Sequence, residues 1–211
     1  MLVNTAEALQ EAKIVAIIRG LQEEQIRPVA DALFAGGIRA IEVTFNTPGA
    51  ANMISVLRRE YGGKMLVGAG TVLDVKTVKT AVDAGAEFIL SPVLDVHVIE
   101  ECLKLGKVAI PGAMTPTEIY TAWSAGAGMV KVFPAGTLGA KYIKDVLAPL
   151  NNLSLMAVGG VTSGNLSGFF NAGVHATGIG SELVNKTLIE QGDFAMLEKN
   201  ARVFVDIAAS I

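Results

Sequence analysis

Lys131 lies in the middle of Met129-Val130-Lys131-Val132-Phe133-Pro134, an apolar, β-branched and aromatic run closed by a proline. Such a run reads as a short buried strand. An ammonium withdrawn from water either meets an anion or gives up its proton. An amine without its proton attacks carbonyls. A lysine at a strand's mouth can instead snorkel to water along its own methylenes. Glu42, in Ile41-Glu42-Val43-Thr44, poses the same problem with the opposite sign. It is either half of a structural ion pair with Lys131 or an acid/base whose pKa burial lifts toward neutrality. An unneeded buried pair adds little stability, which favours the second reading. Arg19 offers a fork to a carboxylate or a phosphate, or is a plain strand-end arginine. Thr71, after Gly68-Ala69-Gly70, offers its hydroxyl and N–H to a substrate carboxylate, or caps the next helix. Gly159-Gly160 and Gly180-Ser181 present bare backbone N–H groups of the kind that cradle phosphate. Ordinary turns are the competing account, since the chain has 23 glycines. One amine, one proton shuttle and two anion holders suit condensation at a carbonyl.

These residues need a frame that brings them to one rim. Ile14–Ile18 is a continuous apolar run, as expected of a parallel strand covered on both faces. Comparable runs follow at Ile38–Thr44, Met65–Gly68, Glu87–Ser91, Lys107–Ile110, Met129–Phe133, Leu155–Gly159 and Ala176–Gly180. Amphipathic stretches separate them, and several stop at a glycine, as in Ala84-Gly85, Leu105-Gly106, Ala125-Gly126 and Ala172-Gly173. Eight strand–helix units in a single domain, 1–211, predict an α/β fold, a closed (β/α)8 TIM barrel. A further helix over Thr5–Ala12 precedes the first strand. An open doubly wound sheet is the alternative, weakened by the lack of a Gly-x-Gly-x-x-Gly turn after the first strand. In a barrel the chemistry sits at the C-terminal strand ends. Arg19, Glu42, Thr71, Ser91-Pro92, Pro111-Gly112, Lys131, Gly159-Gly160 and Gly180-Ser181 all fall there.

Composition narrows the class. Hydrophobic residues make up 51% and charged residues 18%, so the chain is core-rich and has apolar surface to spare for a partner subunit. The net charge of -3, with 17 basic and 20 acidic residues dispersed, argues against nucleic acid. No window approaches the roughly 18 apolar residues of a membrane span. The first residues lack the basic-then-apolar pattern of a signal peptide. One cysteine, Cys102, excludes an internal disulfide and fits a cytoplasmic home. Cys102 lies in a helical pattern beside Glu100 and Glu101, which suits packing rather than catalysis. His97 and His175 stand alone, without metal-ligand spacing, and read as structural; no metal site is expected.

In this order and spacing, Glu42 in Ile-Glu-Val-Thr, Gly68-Ala69-Gly70-Thr71-Val72, Ser91-Pro92, Pro111-Gly112, Lys131 in Val-Lys-Val-Phe-Pro, Gly159-Gly160 and Gly180-Ser181 carry a family resemblance. The chain resembles the 2-keto-3-deoxy-6-phosphogluconate (KDPG) / 4-hydroxy-2-oxoglutarate (KHG) aldolases from about Ala12 to Val184. The resemblance implies a class I aldolase, a homotrimer with no metal or organic cofactor, that binds its substrate as a covalent Schiff base. It implies cleavage of KDPG to pyruvate and D-glyceraldehyde 3-phosphate, and extends to KHG, which gives pyruvate and glyoxylate. It makes Lys131 the Schiff-base lysine and Glu42 the acid/base. Arg19 and Thr71 would hold the pyruvate carboxylate, and Pro92 and Phe133 would wall the pocket. Gly159, Gly160, Gly180 and Ser181 would take the phosphate.

Two departures bear on stereochemistry. Asn46-Thr47-Pro48 stands where many KDPG-cleaving members carry an arginine, and Val158 stands where many have threonine. Both resemble the branch that cleaves the C4 epimer, 2-keto-3-deoxy-6-phosphogalactonate. A site that loses a hydroxyl contact discriminates less, so loose control at C4 is expected. The rival activities are an isomerase or epimerase in which Glu42 moves a proton and Lys131 only steadies an enolate, and a barrel that binds ligand without turning it over.

Overall fold

The computed structural model describes residues 2–211, with side chains from Thr5 onward. Strands and helices alternate along the chain. The strands are β1 (Ile14–Ile18), β2 (Ala40–Thr44), β3 (Leu66–Gly70), β4 (Phe88–Leu90), β5 (Val108–Ile110), β6 (Gly112–Ala113), β7 (Val130–Val132), β8 (Leu155–Val158) and β9 (Ala176–Ile179). All pair in parallel in one sheet, in the order β5-β4-β3-β2-β1-β9-β8-β7-β6. The two ends of that row, β5 and β6, are separated in the chain by Pro111 alone. Eight strands were expected. The ninth arises because proline has no N–H to give a neighbour, so the fifth strand breaks in two. Its first half pairs with β4 and its second with β7, and the barrel closes through it. The open-sheet alternative is thereby excluded.

Alternation along the strands builds two cores. Val15, Ile17, Ala40, Phe88, Leu90, Met129, Met156 and Val158 form one cluster inside the barrel. The other strand faces pack against the surrounding helices in a second, larger cluster. Leu9, on α1 (Leu2–Ala12), belongs to the inner cluster and is wholly buried. This helix packs at the end of the barrel opposite the C-terminal strand ends, and Gln10 Nε2 donates to Ser154 Oγ at 3.2 Å.

The remaining helices are α2 (Ile26–Ala35), α3 (Ala50–Tyr61), α4 (Val75–Asp83), α5 (Val96–Lys104), α6 (Pro116–Ser124), α7 (Ala135–Leu147), α8 (Leu166–Asn171), α9 (Lys186–Glu190) and α10 (Phe194–Ala209). Helix α7 begins five residues earlier than the amphipathic stretch Ala140–Leu147 predicts and is broken at Gly139, where φ is 79°. Helix α9 is too short to show a period. No helix among the described residues is long and apolar enough to cross a membrane.

Candidate active site

The two-residue period that makes the core also aims the chemistry. Met129, just before β7, packs in the inner cluster, so by the two-residue period Lys131 on β7 and Phe133 just after it face the barrel interior too. On β2, Ala40 points inward, and so do Glu42 and Thr44. On β1, Val15 and Ile17 lead to Arg19 at the rim. Lys131 is 5% exposed and Glu42 2%.

The backbone of Lys131 is fixed by its neighbours. Its N–H donates to Pro111 O at 2.9 Å, and it stands in register with Gly112 and Met156. Its Nζ lies 4.8 Å from the centre of the Phe133 ring. Burial holds its pKa below the ordinary 10.5. The Glu42 carboxylate works against that shift, and the Arg19 guanidinium adds to it. Burial likewise lifts the Glu42 pKa above 4.5, with Lys131 and then Arg19 opposing. Each group therefore leans toward its neutral form, and all three lie within electrostatic reach of one another.

Glu42 fits in β2 because β3 is bare beside it. A Cβ on Gly70 would lie 2.5 Å from Glu42 Oε2, so only glycine leaves the carboxyl its place. Among the described residues, no ion pair within 4.0 Å joins Glu42 to Lys131. Glu42 Oε2 is buried without a hydrogen-bond partner. A static structural pair would have satisfied that oxygen.

A cavity of about 650 Å³ opens beside Lys131. Of the residues singled out from sequence, Arg19, Lys131, Phe133, Gly159, Gly160, Gly180 and Ser181 line it. Glu42, Thr71 and Pro92 lie outside its lining. Glu42 lies on β2, and Thr71 and Pro92 follow β3 and β4, on the same side of the barrel. Thr71 has φ 55°, a left-handed conformation that costs a non-glycine residue energy and recurs at functional sites. It is not a helix cap: Asp74 caps α4, accepting from Thr77 N at 2.7 Å.

Sequence reasoning missed several residues here. Thr162, Glu182, Asn185 and Lys186 also line the cavity. Their signal was position alone, just after strand ends. Thr44 and Thr47, 0% and 3% exposed, bracket Arg19. Gly20 N donates to Thr47 Oγ1 at 2.8 Å, the two threonine hydroxyls are 3.1 Å apart, and Thr44 Oγ1 donates to Ile18 O at 3.2 Å. With Thr47 donating to Thr44, every hydroxyl proton has an acceptor, and the chain on both sides of Arg19 is held to β2. Cys102 and the histidines take no part. Cys102 is buried, with its thiol pushed up to about 12 by burial, and His97 and His175 are exposed.

The family model described as KDPG and KHG aldolase matches residues 5–200. The chain belongs to that family. A 2-dehydro-3-deoxy-phosphogluconate aldolase of Treponema pallidum (strain Nichols) is 37% identical over 93% of each chain. A 2-dehydro-3-deoxy-6-phosphogalactonate aldolase of Escherichia coli (strain K12) is 36% identical over 81% of this chain and 83% of its own. A solved KDPG aldolase from Legionella pneumophila superposes with a TM-score of 0.88 at 27% identity, covering 94% of this chain and 97% of its own. That structure holds pyruvate captured at low pH as a covalent carbinolamine intermediate. As a KDPG/KHG aldolase the protein is a carbon–carbon lyase of the metal-independent class I type.

Proposed function

We propose that this aldolase cleaves KDPG to pyruvate and D-glyceraldehyde 3-phosphate through a Schiff base on Lys131, and accepts KHG as well. The observation that carries the reading is a buried lysine held below its ordinary pKa at the wall of a cavity, with Glu42 in electrostatic reach.

Neutral Lys131 adds to the C2 ketone to give a carbinolamine, which loses water to a protonated imine. The imine is the electron sink. Glu42, through a water, takes the C4 hydroxyl proton, and the C3–C4 bond breaks with its electron pair moving toward the imine. The aldehyde leaves. The remaining enamine is protonated at C3, and hydrolysis returns pyruvate and the free amine. The enzyme's own side chains supply every proton movement, so no cofactor is required. Arg19 and Thr71 hold the carboxylate beside C2, Pro92 and Phe133 wall the pyruvyl group, and the Gly159-Gly160 and Gly180-Ser181 backbones take the phosphate.

A second reading, the C4 epimer 2-keto-3-deoxy-6-phosphogalactonate, is favoured by one observation: Val158, without a hydroxyl, lines the cavity. Loose control at C4 accommodates both epimers. A lactate-dehydrogenase-coupled assay of the two phosphorylated epimers and KHG tests this. Pyruvate release from both epimers at rates within about a hundredfold is expected, the scale of a missing contact; a difference of several orders of magnitude would defeat loose control.

We also infer one catalytic domain over 1–211, a homotrimer working in the cytoplasm. The trimer is supported by exposed apolar side chains on loops after β3, β4 and β6, namely Leu73, Val93 and Met114, and by Tyr120 on α6.

A further inference from the structure

The cavity wall carries a cation that the proposed mechanism does not use. Lys186 lines the cavity with Arg19, Gly160 and Ser181, and it opens α9. Asn185 sets where that turn begins, since its side chain accepts from Leu188 N at 3.2 Å. The Lys186 ammonium lies over the Arg19–Gly20 turn: a Cβ on Gly20 would stand 3.2 Å from Nζ. Gly20, at φ 68°, has no such atom, and the space is the ammonium's. Among the described residues, no carboxylate lies within 4.0 Å of Lys186, although Glu182 lines the same cavity.

We propose that Lys186 is a specificity-determining residue, whose ammonium binds the distal phosphate of the substrate and sets the preference for phosphorylated over unphosphorylated keto-acids. The inference rests on the aldolase reading above and deepens its phosphate end. Position selects the phosphate over the carboxylate. The carboxylate is bonded to C2, the carbon that joins Lys131 on β7. Lys186 lines the cavity with Gly160 and Ser181, two of the residues whose backbone is assigned to the phosphate, and its ammonium lies over the Gly20 turn after β1. It therefore stands among the loops that follow β8, β9 and β1, away from β7. Chemistry agrees. A phosphate dianion offers three oxygens that each accept more than one hydrogen bond, more capacity than four backbone N–H groups fill, and lysine is a mobile point charge that completes such a shell. Lys186 is exposed at the cavity mouth, so its pull on the phosphate weakens as salt rises.

The test compares kcat/KM of wild type and Lys186→Met on KDPG and on KHG, which has no phosphate. The phosphorylated-to-unphosphorylated ratio should fall about 10- to 100-fold, the scale of one charge-assisted hydrogen bond, chiefly through KM for KDPG. Lys186→Arg should keep most of the ratio. Inorganic phosphate, used as a competitive inhibitor, should lose about tenfold in affinity for Lys186→Met. Borohydride trapping of pyruvate on Lys131 in the variant confirms a folded site. An unchanged ratio with an intact trap overturns the role of Lys186 and leaves the aldolase reading standing. A wild type without any preference for the phosphorylated substrate overturns the phosphate subsite itself.

Discussion

Lys131 and Glu42 oppose each other through the barrel interior. Burial pulls the lysine pKa below 10.5 and pushes the glutamate pKa above 4.5, while each one's charge resists the other's shift. Between the lowered pKa and 10.5 the folded protein holds fewer protons at Lys131 than the unfolded chain does, so stability gains with rising pH across that window. Below it, the cost of a buried ammonium is present in full. The proposed mechanism needs the neutral amine, so the rate of pyruvate trapping should climb with pH and level off below 10.5. Glu42→Gln removes the charge that raises the lysine pKa. The acid limb should then move to lower pH, while kcat falls about 10²- to 10⁴-fold, the usual worth of a positioned proton shuttle. A pH profile of both proteins checks this; a limb that stays or moves upward would uncouple the two groups. The residue types were legible in sequence because a charge inside an apolar strand has few explanations. The orphaned Glu42 oxygen and the bare space at Gly70 were not, since they depend on strand register.

At the scale of elements, β2 holds Arg19 in place although Arg19 follows β1. The Thr44–Thr47 bridge joins Ile18 O to Gly20 N across the arginine. Thr47→Val leaves the buried end of that bridge unmade, at a cost of about 1–3 kcal/mol. Its KM for keto-acid should rise several-fold more than kcat falls, and Thr47→Ser should restore both. Thermal melts and steady-state kinetics on the three proteins measure this, and a loss of stability with KM untouched would reduce the threonines to scaffolding. The strands were readable from their apolar runs to within a few residues. The split of the fifth strand was not foreseen, although Pro111 is the cause, because its carbonyl still serves Lys131 while its missing N–H ends the ladder. Helix α9 was invisible for a different reason: five residues carry too little period to read, and Lys186 went unremarked with it.

For the whole molecule, closure of the barrel was legible from eight evenly spaced units, and that frame located the rim before any side chain was placed. What the repeat cannot encode is which neighbouring loops share a cavity, and the structure gathers the ends of β7, β8, β9 and β1 into one. The exposed Leu73, Val93, Met114 and Tyr120 belong to this scale too. Sedimentation equilibrium should give three times the chain mass, and Leu73→Asp with Val93→Asp should shift the population to monomer. A wild-type monomer at micromolar concentration would remove the trimer.

The central claim is that one sheltered amine joins the substrate. Incubation with pyruvate and sodium borohydride, followed by peptide mapping, reads it directly. The account predicts a single reduced adduct on the peptide containing Lys131, formed in step with loss of cleavage activity and absent from Lys131→Ala. An active enzyme that forms no adduct, or forms it on another lysine, would contradict it.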